Sequence, residues 1–351
     1  MIYRAKAPLR ISFCGGGTDV SPYPEERGGI VLSTTINLYA FASLRALEEP
    51  IFRLRSLDYE LSLDIKPGEP LLMNGQLDLL KGALGFFREE CRRLGLRSGD
   101  VGGLPAGIEI LSHTDAPPGS GLGSSSTMVT TLVGVFQDWL GKPLAPYDIA
   151  ELTYHIERER VKISGGRQDQ YAAVFGGFNL IEFHNGYTIV NPLRIRRATM
   201  NELEGRLLLV YTGKTRLSAH IVDRQTHSYR EKKQDVVEAL DEMKALAVAM
   251  KNALLQDDLD EFGRCLHEAW LHKKHLDEGI TNPQIDALYQ KARDMGCLGG
   301  KILGAGGGGY LLLYCPYDLK HRIGDALKEI GGMPTGFAFE DQGLQTWTVN
   351  S

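Results

Sequence analysis

The chain has 351 residues, 41 of them glycine, and a formal net charge of −5. That length can bury a core spread over two domains, and with so mild an acidity nothing points to a basic nucleic-acid surface or a disordered acidic tail. No apolar run reaches membrane-spanning length, the start MIYRAKAPLR leads into no signal-peptide apolar stretch, and the five cysteines (14, 91, 265, 297 and 315) are scattered; reduced thiols in a cytoplasmic protein are the simplest reading.

In chain order, LRISFC (9–14), IVLSTTINLYAFASLRAL (30–47) and GIEILSH (107–113) have strand character. DLLKGALGFFREECRRLG (78–95) patterns as a helix. PPGSGLGSSS (117–126) precedes apolar pairs at 128/129, 132/133, 135/136 and 139/140. That period predicts a loop feeding a helix, whose free N–H groups and dipole attract anions. YDIAELTYHIERER (147–160) reads as a helix opened by Pro146. SGGRQDQYAAVFGGFNLIEF (164–183) predicts a short helix with Asp169 in its first turn, then a strand. The polar segment 190–205 marks a domain junction. RLLLVYTG opens the second half as a strand, 236–254 is a long helix, and GCLGGKILGAGGGGYLLLYC is strand, glycine loop, strand, followed by a helix and a last strand. No repeat of 20–50 residues is visible.

Three loops carry candidate chemistry. PPGSGLGSSS fits a phosphate cradle, but it lacks the Gly-Lys-Ser/Thr ending of a Walker loop. It also lacks the spacing and the distant acid of a dinucleotide fingerprint, which argues against a dehydrogenase. PLRISFCGGGTD places Arg10 on a strand and Thr18 and Asp19 beyond a glycine triplet. Asp169 lies between two glutamines after Gly165–Gly166; either the helix dipole stabilises this carboxylate or it lies beside a substrate hydroxyl. GAGGGG (304–309) allows both a tight hairpin and a backbone approach to a ligand. HEAWLHKKH nearly matches a zinc motif, but His267 and His272 are five apart, so a solvated helix face is expected. Arg27, Arg167, Lys273 and Lys274 are candidates to meet a substrate phosphate, but each reads first as a surface charge.

Taken in order, PPGSGLGSSS, GGRQDQYAAVFGG and KILGAGGGGYLL resemble the GHMP kinase superfamily across nearly the whole chain. The closer likeness is to the sugar kinases, and within them to the bacterial D-glycero-α-D-manno-heptose 7-phosphate kinases, through APLRISFCGGGTD, GGIVLSTTIN and GGRQDQYAAVFGG. The resemblance implies an α+β, two-domain fold. A ribosomal protein S5 domain 2-like N-terminal domain would span 1–195, and a ferredoxin-like C-terminal domain 196–351. It implies ATP across Pro118, Gly119, Ser120, Gly121, Leu122, Gly123, Ser124, Ser125 and Ser126. Mg2+ would be held by Ser125 and Glu157, with Glu159 as the rival carboxylate. Asp169 and Arg10 would be the catalytic pair. Asp169 either takes the acceptor proton or only orients the hydroxyl; Arg10 polarises the hydroxyl or steadies the γ-phosphate. Gly16, Gly17, Thr18, Asp19, Gly306 and Gly307 would join that pair around the substrate.

Galactokinases read Gly-Glu-His-Thr-Asp where this chain has Gly15-Gly16-Gly17-Thr18-Asp19. The change opens space and removes a negative charge, as a longer phosphorylated sugar needs. The expected reaction is transfer to the anomeric hydroxyl of a heptose 7-phosphate. A galactose- or fucose-type kinase and a non-catalytic nucleotide or sugar sensor are the alternatives. The expected partners are small molecules, with no nucleic acid or membrane; a homodimer stays open.

Overall fold

The computed structural model describes residues 1–96, 104–213 and 219–350. The first half builds a sheet. Strand β1 (Ile2–Cys14) pairs antiparallel with β2 (Gly29–Leu47), across a connection holding the short helix α1 (Tyr23–Arg27). Strands β3 (Phe52–Ser56) and β4 (Leu61–Ile65) form a hairpin, and helix α2 (Asp78–Arg93) follows. Strand β5 (Gly107–Thr114) pairs with both β2 and β3. Next come α3 (Ser124–Leu140) and α4 (Pro146–Tyr154), which continues directly as a π-helical turn, His155–Arg160. Helix α5 (Gln168–Phe175) and the hairpin β6 (Asn179–His184)–β7 (Tyr187–Pro192) complete the run.

Helix α6 (Arg197–Arg206) then leads to a second sheet. Strand β8 (Leu207–Tyr211) is followed by α7 (Ala219–Arg230), α8 (Gln234–Gln256), α9 (Leu259–His275) and α10 (Pro283–Asp294). Strands β9 (Gly299–Ile302) and β10 (Tyr310–Tyr314), helix α11 (Lys320–Lys328) and β11 (Met333–Thr335) close the unit. The sheet order β11-β8-β10-β9, all antiparallel, is the ferredoxin-like βαββαβ arrangement.

The chain then returns. β12 (Phe339–Glu340) pairs with β2, and β13 (Gln345–Val349) pairs with β1 along the edge of the first sheet. A division at 195/196 assigns these strands to the second half, whereas their hydrogen bonds join them to the first sheet. The reason is in α3: a Cβ on Gly134 would lie 3.0 Å from Leu344 and 3.1 Å from Thr346, so the returning segment packs directly on that helix.

Alternation along β1 positions the site. Leu9, Ile11 and Phe13 point into a core shared with β8, β10, α8 and α9, including Leu209, Phe262 and Leu312. Arg10 and Ser12 fall on the opposite face, as the two-residue period of a strand requires. A separate core lies between the first sheet and α2, α3 and α4, with Phe87 stacked on Phe136 at 4.4 Å between ring centres. Each fully buried Leu, Ile or Phe contributes about 1.5–3 kcal/mol. The two units therefore share an apolar floor beneath the charged residues of β1.

Candidate active site

The loop before α3 ends at Gly123, in left-handed conformation (φ 78°), with no side chain capping the helix. The first N–H groups of α3 are therefore left for an incoming anion. Gly123 also permits a close approach: a Cβ there would lie 3.2 Å from Asp169 Cγ and 3.4 Å from Arg10 Cγ. The start of α3 thus abuts the Arg10–Asp169 pair.

Arg10 is 3 % exposed. Its Nε donates to Asp169 Oδ1 at 2.8 Å, and Nη2 approaches the same oxygen at 2.6 Å. Its Nη1 donates to the Gly121 carbonyl at 2.6 Å, and its backbone N–H to the Leu122 carbonyl at 3.0 Å. One arginine therefore ties the phosphate-type loop to the carboxylate. Among the described residues no hydrogen bond is made to Asp169 Oδ2, which lies on the Gly123 side. Asp169 occupies the first turn of α5, as its spacing predicts.

The third glycine loop backs the first. A Cβ on Gly121 (φ 84°) would lie 2.5 Å from the Leu303 carbonyl oxygen; one on Gly304 would lie 2.6 Å from Gly121 Cα. Tyr310 N–H donates to the Ser120 carbonyl at 2.9 Å. Gly306 and Gly307, expected at the substrate, pack on the segment before α10. Gly307 N–H donates to the Ile280 carbonyl at 2.8 Å, and its own carbonyl accepts from Asn282 Nδ2 at 3.1 Å. Both of its backbone groups are thus engaged within the protein.

Around the glycine triplet main-chain and side-chain contacts combine: a Cβ on Gly15 would lie 1.8 Å from the Ile30 carbonyl oxygen, and one on Gly17 2.7 Å from Gln225 Nε2. Thr18 is buried; its hydroxyl donates to the Gly15 carbonyl at 2.7 Å and accepts from Ile30 N–H at 3.0 Å. Asp19, expected to meet sugar hydroxyls, is 1 % exposed and accepts from Gly17 N–H (2.9 Å), Gln168 N–H (3.1 Å) and Gln168 Nε2 (3.1 Å). Burial raises its pKa above the ordinary carboxylate value, against the pull of these donors. It staples the triplet loop to the start of α5. Gly16 has an ordinary φ; a Cβ there would lie 3.3 Å from Gln168 Nε2 and 3.6 Å from Ser12 Oγ. Ser12 Oγ and Gln168 Oε1 are buried and without partners among the described residues.

Glu157 lies on the π-helical turn and is fully buried, whereas the Glu159 side chain is 62 % exposed and pairs with His155. The two glutamates of ERER, which read alike as solvated surface, separate here. Glu157 Oε1 accepts from Ser125 Oγ at 2.8 Å; Oε2 accepts from Ser126 Oγ at 2.6 Å and Gln170 Nε2 at 2.9 Å. Hard oxygen donors on Ser125 and Glu157 fit a magnesium ion that keeps waters and phosphate oxygens as its other ligands. Among the described residues no group of three or more His, Cys, Asp or Glu could hold a metal.

Several participants were missed in the sequence. Gln168 and Gln170 flank Asp169 and turn to Asp19 and Glu157; their spacing around the aspartate was the available signal. Lys273, expected at the surface, is buried and donates to the Ile302 (2.9 Å) and Gly304 (2.5 Å) carbonyls. Lys301 is likewise buried, and its ammonium crosses between the units to the Ser12 and Phe13 carbonyls, both at 3.0 Å. Burial lowers both pKa values, that of Lys301 to about 8. The other candidates are placed as ordinary charges: Arg27 pairs with Asp241, Arg167 with Glu151, and Lys274 lies over the Trp270 ring. His267 is half-buried, with Nδ1 2.6 Å from Tyr289 Oη.

Comparison with known proteins names this arrangement. Residues 78–177 match the GHMP kinases N terminal domain and 250–331 the GHMP kinases C terminal domain. The chain is 35 % identical over 347 residues to the D-glycero-alpha-D-manno-heptose 7-phosphate kinase of Campylobacter jejuni, covering 99 % of both. It is 32 % identical over 326 residues to the L-fucokinase/L-fucose-1-P guanylyltransferase of Bacteroides fragilis, covering 88 % of this chain but 34 % of that protein. The crystal structure of a D-glycero-D-manno-heptose 1-phosphate kinase from Bacteroides thetaiotaomicron superposes with a TM-score of 0.81, at 34 % identity, over 99 % of this chain and 100 % of that one. With both domain models matched in order and a relative of this identity along its full length, the chain belongs to the GHMP kinase family and is a small-molecule kinase.

Proposed function

We propose that the protein transfers the γ-phosphoryl group of ATP to the anomeric hydroxyl of D-glycero-D-manno-heptose 7-phosphate, giving the 1,7-bisphosphate used to build activated heptose. The observation carrying the transfer is the contact through Gly123, which sets the uncapped start of α3 against the Arg10–Asp169 pair. An anion on those N–H groups lies next to a carboxylate and a guanidinium. Asp169 spends Oδ1 on Arg10 and presents Oδ2 to the acceptor hydroxyl, which it orients and relieves of its proton as transfer proceeds. Arg10 keeps a fixed positive charge where charge builds on the transferring group, and its bond to Gly121 sets its distance from the loop. Magnesium, held by Ser125 and Glu157, would offset the charge of the phosphates.

The relative of full-length similarity and the glycine triplet support a sugar phosphate. Gly16 adds no carboxylate beside Ser12 and Gln168, while a Cβ on Gly17 would meet Gln225 and Leu240 instead. The division of the molecule that suits this reading is a nucleotide unit of 1–195 together with the returning strands, and a second unit from 196 to β11. ADP release measured over heptose 7-phosphate, free heptose, galactose and fucose tests the assignment, with the site of phosphorylation read by 31P NMR. Heptose 7-phosphate should give the highest kcat/KM and a phosphate on C1. A preference for galactose or fucose would replace the substrate, and no turnover with any of these sugars would place the acceptor outside this set.

A further inference from the structure

Glu157 has no exposed surface, yet it is the carboxylate expected at the metal. Three neutral donors reach it: Ser125 Oγ on Oε1, and Ser126 Oγ and Gln170 Nε2 on Oε2. Arg158 Nη1 lies 3.1 Å from Oε1 as an ion-pair contact and carries a full charge that a divalent cation repels.

Arg158 is also held independently of Glu157. Its side chain is 10 % exposed. Nε and Nη2 donate to the Gly166 carbonyl at 3.3 and 3.1 Å, Nη1 to the Ile163 carbonyl at 3.2 Å, and Nη2 to Ser126 Oγ at 3.4 Å. A Cβ on Gly165 would lie 2.6 Å from its guanidinium carbon, so the backbone before Asp169 is moulded around this side chain. The guanidinium can release the carboxylate and keep its place.

We propose that Arg158 is a resident stand-in for the metal: it neutralises Glu157 while no divalent cation is present and yields Oε1 when one arrives. The inference rests on the reading that Ser125 and Glu157 meet the nucleotide's magnesium. Two consequences follow. Without metal, a buried carboxylate keeps a counter-charge, without which it would be costly. With metal, the nearby positive charge weakens binding of the bare ion, so the cation enters already bound to the nucleotide phosphates. Arg158 is thus a positioning residue for the metal and touches no reacting atom.

The test is Mn2+ binding to the full-length protein without nucleotide, followed by electron paramagnetic resonance, with melting temperatures measured with and without Mn2+. Arg158→Gln should bind Mn2+ on the order of tenfold more tightly than wild type. It should melt lower without metal and gain more on adding it. Arg158→Met, which keeps the aliphatic stem, carries the same expectation should the Gln variant not fold. Arg158→Lys retains the charge and should bind Mn2+ like wild type. Equal or weaker binding by the uncharged variants, with binding lost in Glu157→Gln, would overturn the stand-in role and leave the metal reading intact. Unchanged binding in Glu157→Gln would remove the metal reading itself, and the inference with it.

Discussion

The nucleotide and acceptor sides of the proposed site are held together by different forces. On the nucleotide side, loops 117–126 and 304–309 meet backbone to backbone, at distances where a single added Cβ collides with a carbonyl or an α-carbon. On the acceptor side, charged side chains add to the main-chain contact between Asp19 and Arg167: Asp19 holds Gln168, Arg158 holds Gly166 and Arg10 holds Asp169. Glycine brings main chains together on the nucleotide side, whereas Gly165 and Gly166 on the acceptor side make room for Arg158 and Asp19. The nucleotide side should therefore be sensitive to volume, and the acceptor side to charge and pH.

The largest effect expected is on the acceptor side. Asp169→Asn changes charge at nearly constant volume and should reduce kcat by ~10²–10⁴-fold, with a lower melting temperature because the buried Arg10 loses its counter-charge. Near-normal turnover in the folded variant would remove Asp169 from the chemistry. The nucleotide side should answer the opposite kind of change. Gly121→Ala adds one methyl group against the Leu303 carbonyl at a positive φ, and should cost about 3–4 kcal/mol of stability in urea unfolding. Wild-type stability would break the claim that these loops are packed main chain on main chain.

Lys301 sharpens the comparison through pH. Burial lowers its pKa from 10.5 to about 8, so between those values the unfolded chain binds more protons than the folded one. Stability must then rise with pH across that window, the charge penalty being full below pH 8 and relieved near 10.5. Lys301→Met never carries the penalty, and its two lost hydrogen bonds shift its stability by a constant. The stability of wild type relative to this variant should increase by about 3 kcal/mol from pH 7 to 10.5. A pH-independent difference would show that the ammonium is not desolvated in the fold.

The smallest effect separates charge from size at Gly16. Its φ is ordinary, so backbone strain is not at issue there. Gly16→Glu should lower kcat/KM for heptose 7-phosphate on the order of tenfold more than Gly16→Gln does, through repulsion of the substrate phosphate. Equal losses would mean that room alone, and not charge, is what the glycine supplies.

Much of this was legible in the sequence because it is local. The apolar pairs of 128–140 give α3, the glycines before it give the uncapped start, and the strand–loop–strand pattern of 297–315 gives β9 and β10. The Arg10–Asp169 pairing came from resemblance; no periodicity links residues 159 positions apart. Two features were beyond reach for identifiable reasons. YDIAELTYHIERER has one continuous helical pattern, and nothing in it announces the π-helical turn that buries Glu157 and leaves Glu159 outside. Lys301 and Lys273 look like surface charges because their partners are bare carbonyls, which any residue supplies; those of Lys301 are 288 and 289 residues away.

The returning strand β13 has a consequence for how the molecule is made. Strand β1, which carries Arg10, has β2 on one side and only β13 on the other. A ribosome that has produced everything up to β11 has released the second sheet and all of the first but β12 and β13, yet the outer edge of β1 still offers unpaired N–H and C=O groups to any extended peptide nearby. Strand β1 is therefore synthesised well before the strand that seals its outer edge. A chaperone that shields an open strand edge would serve this nascent chain until residue 349 has left the exit tunnel. A stop codon placed after β11 should yield a product that sediments as aggregate, with its ferredoxin-like unit fully encoded.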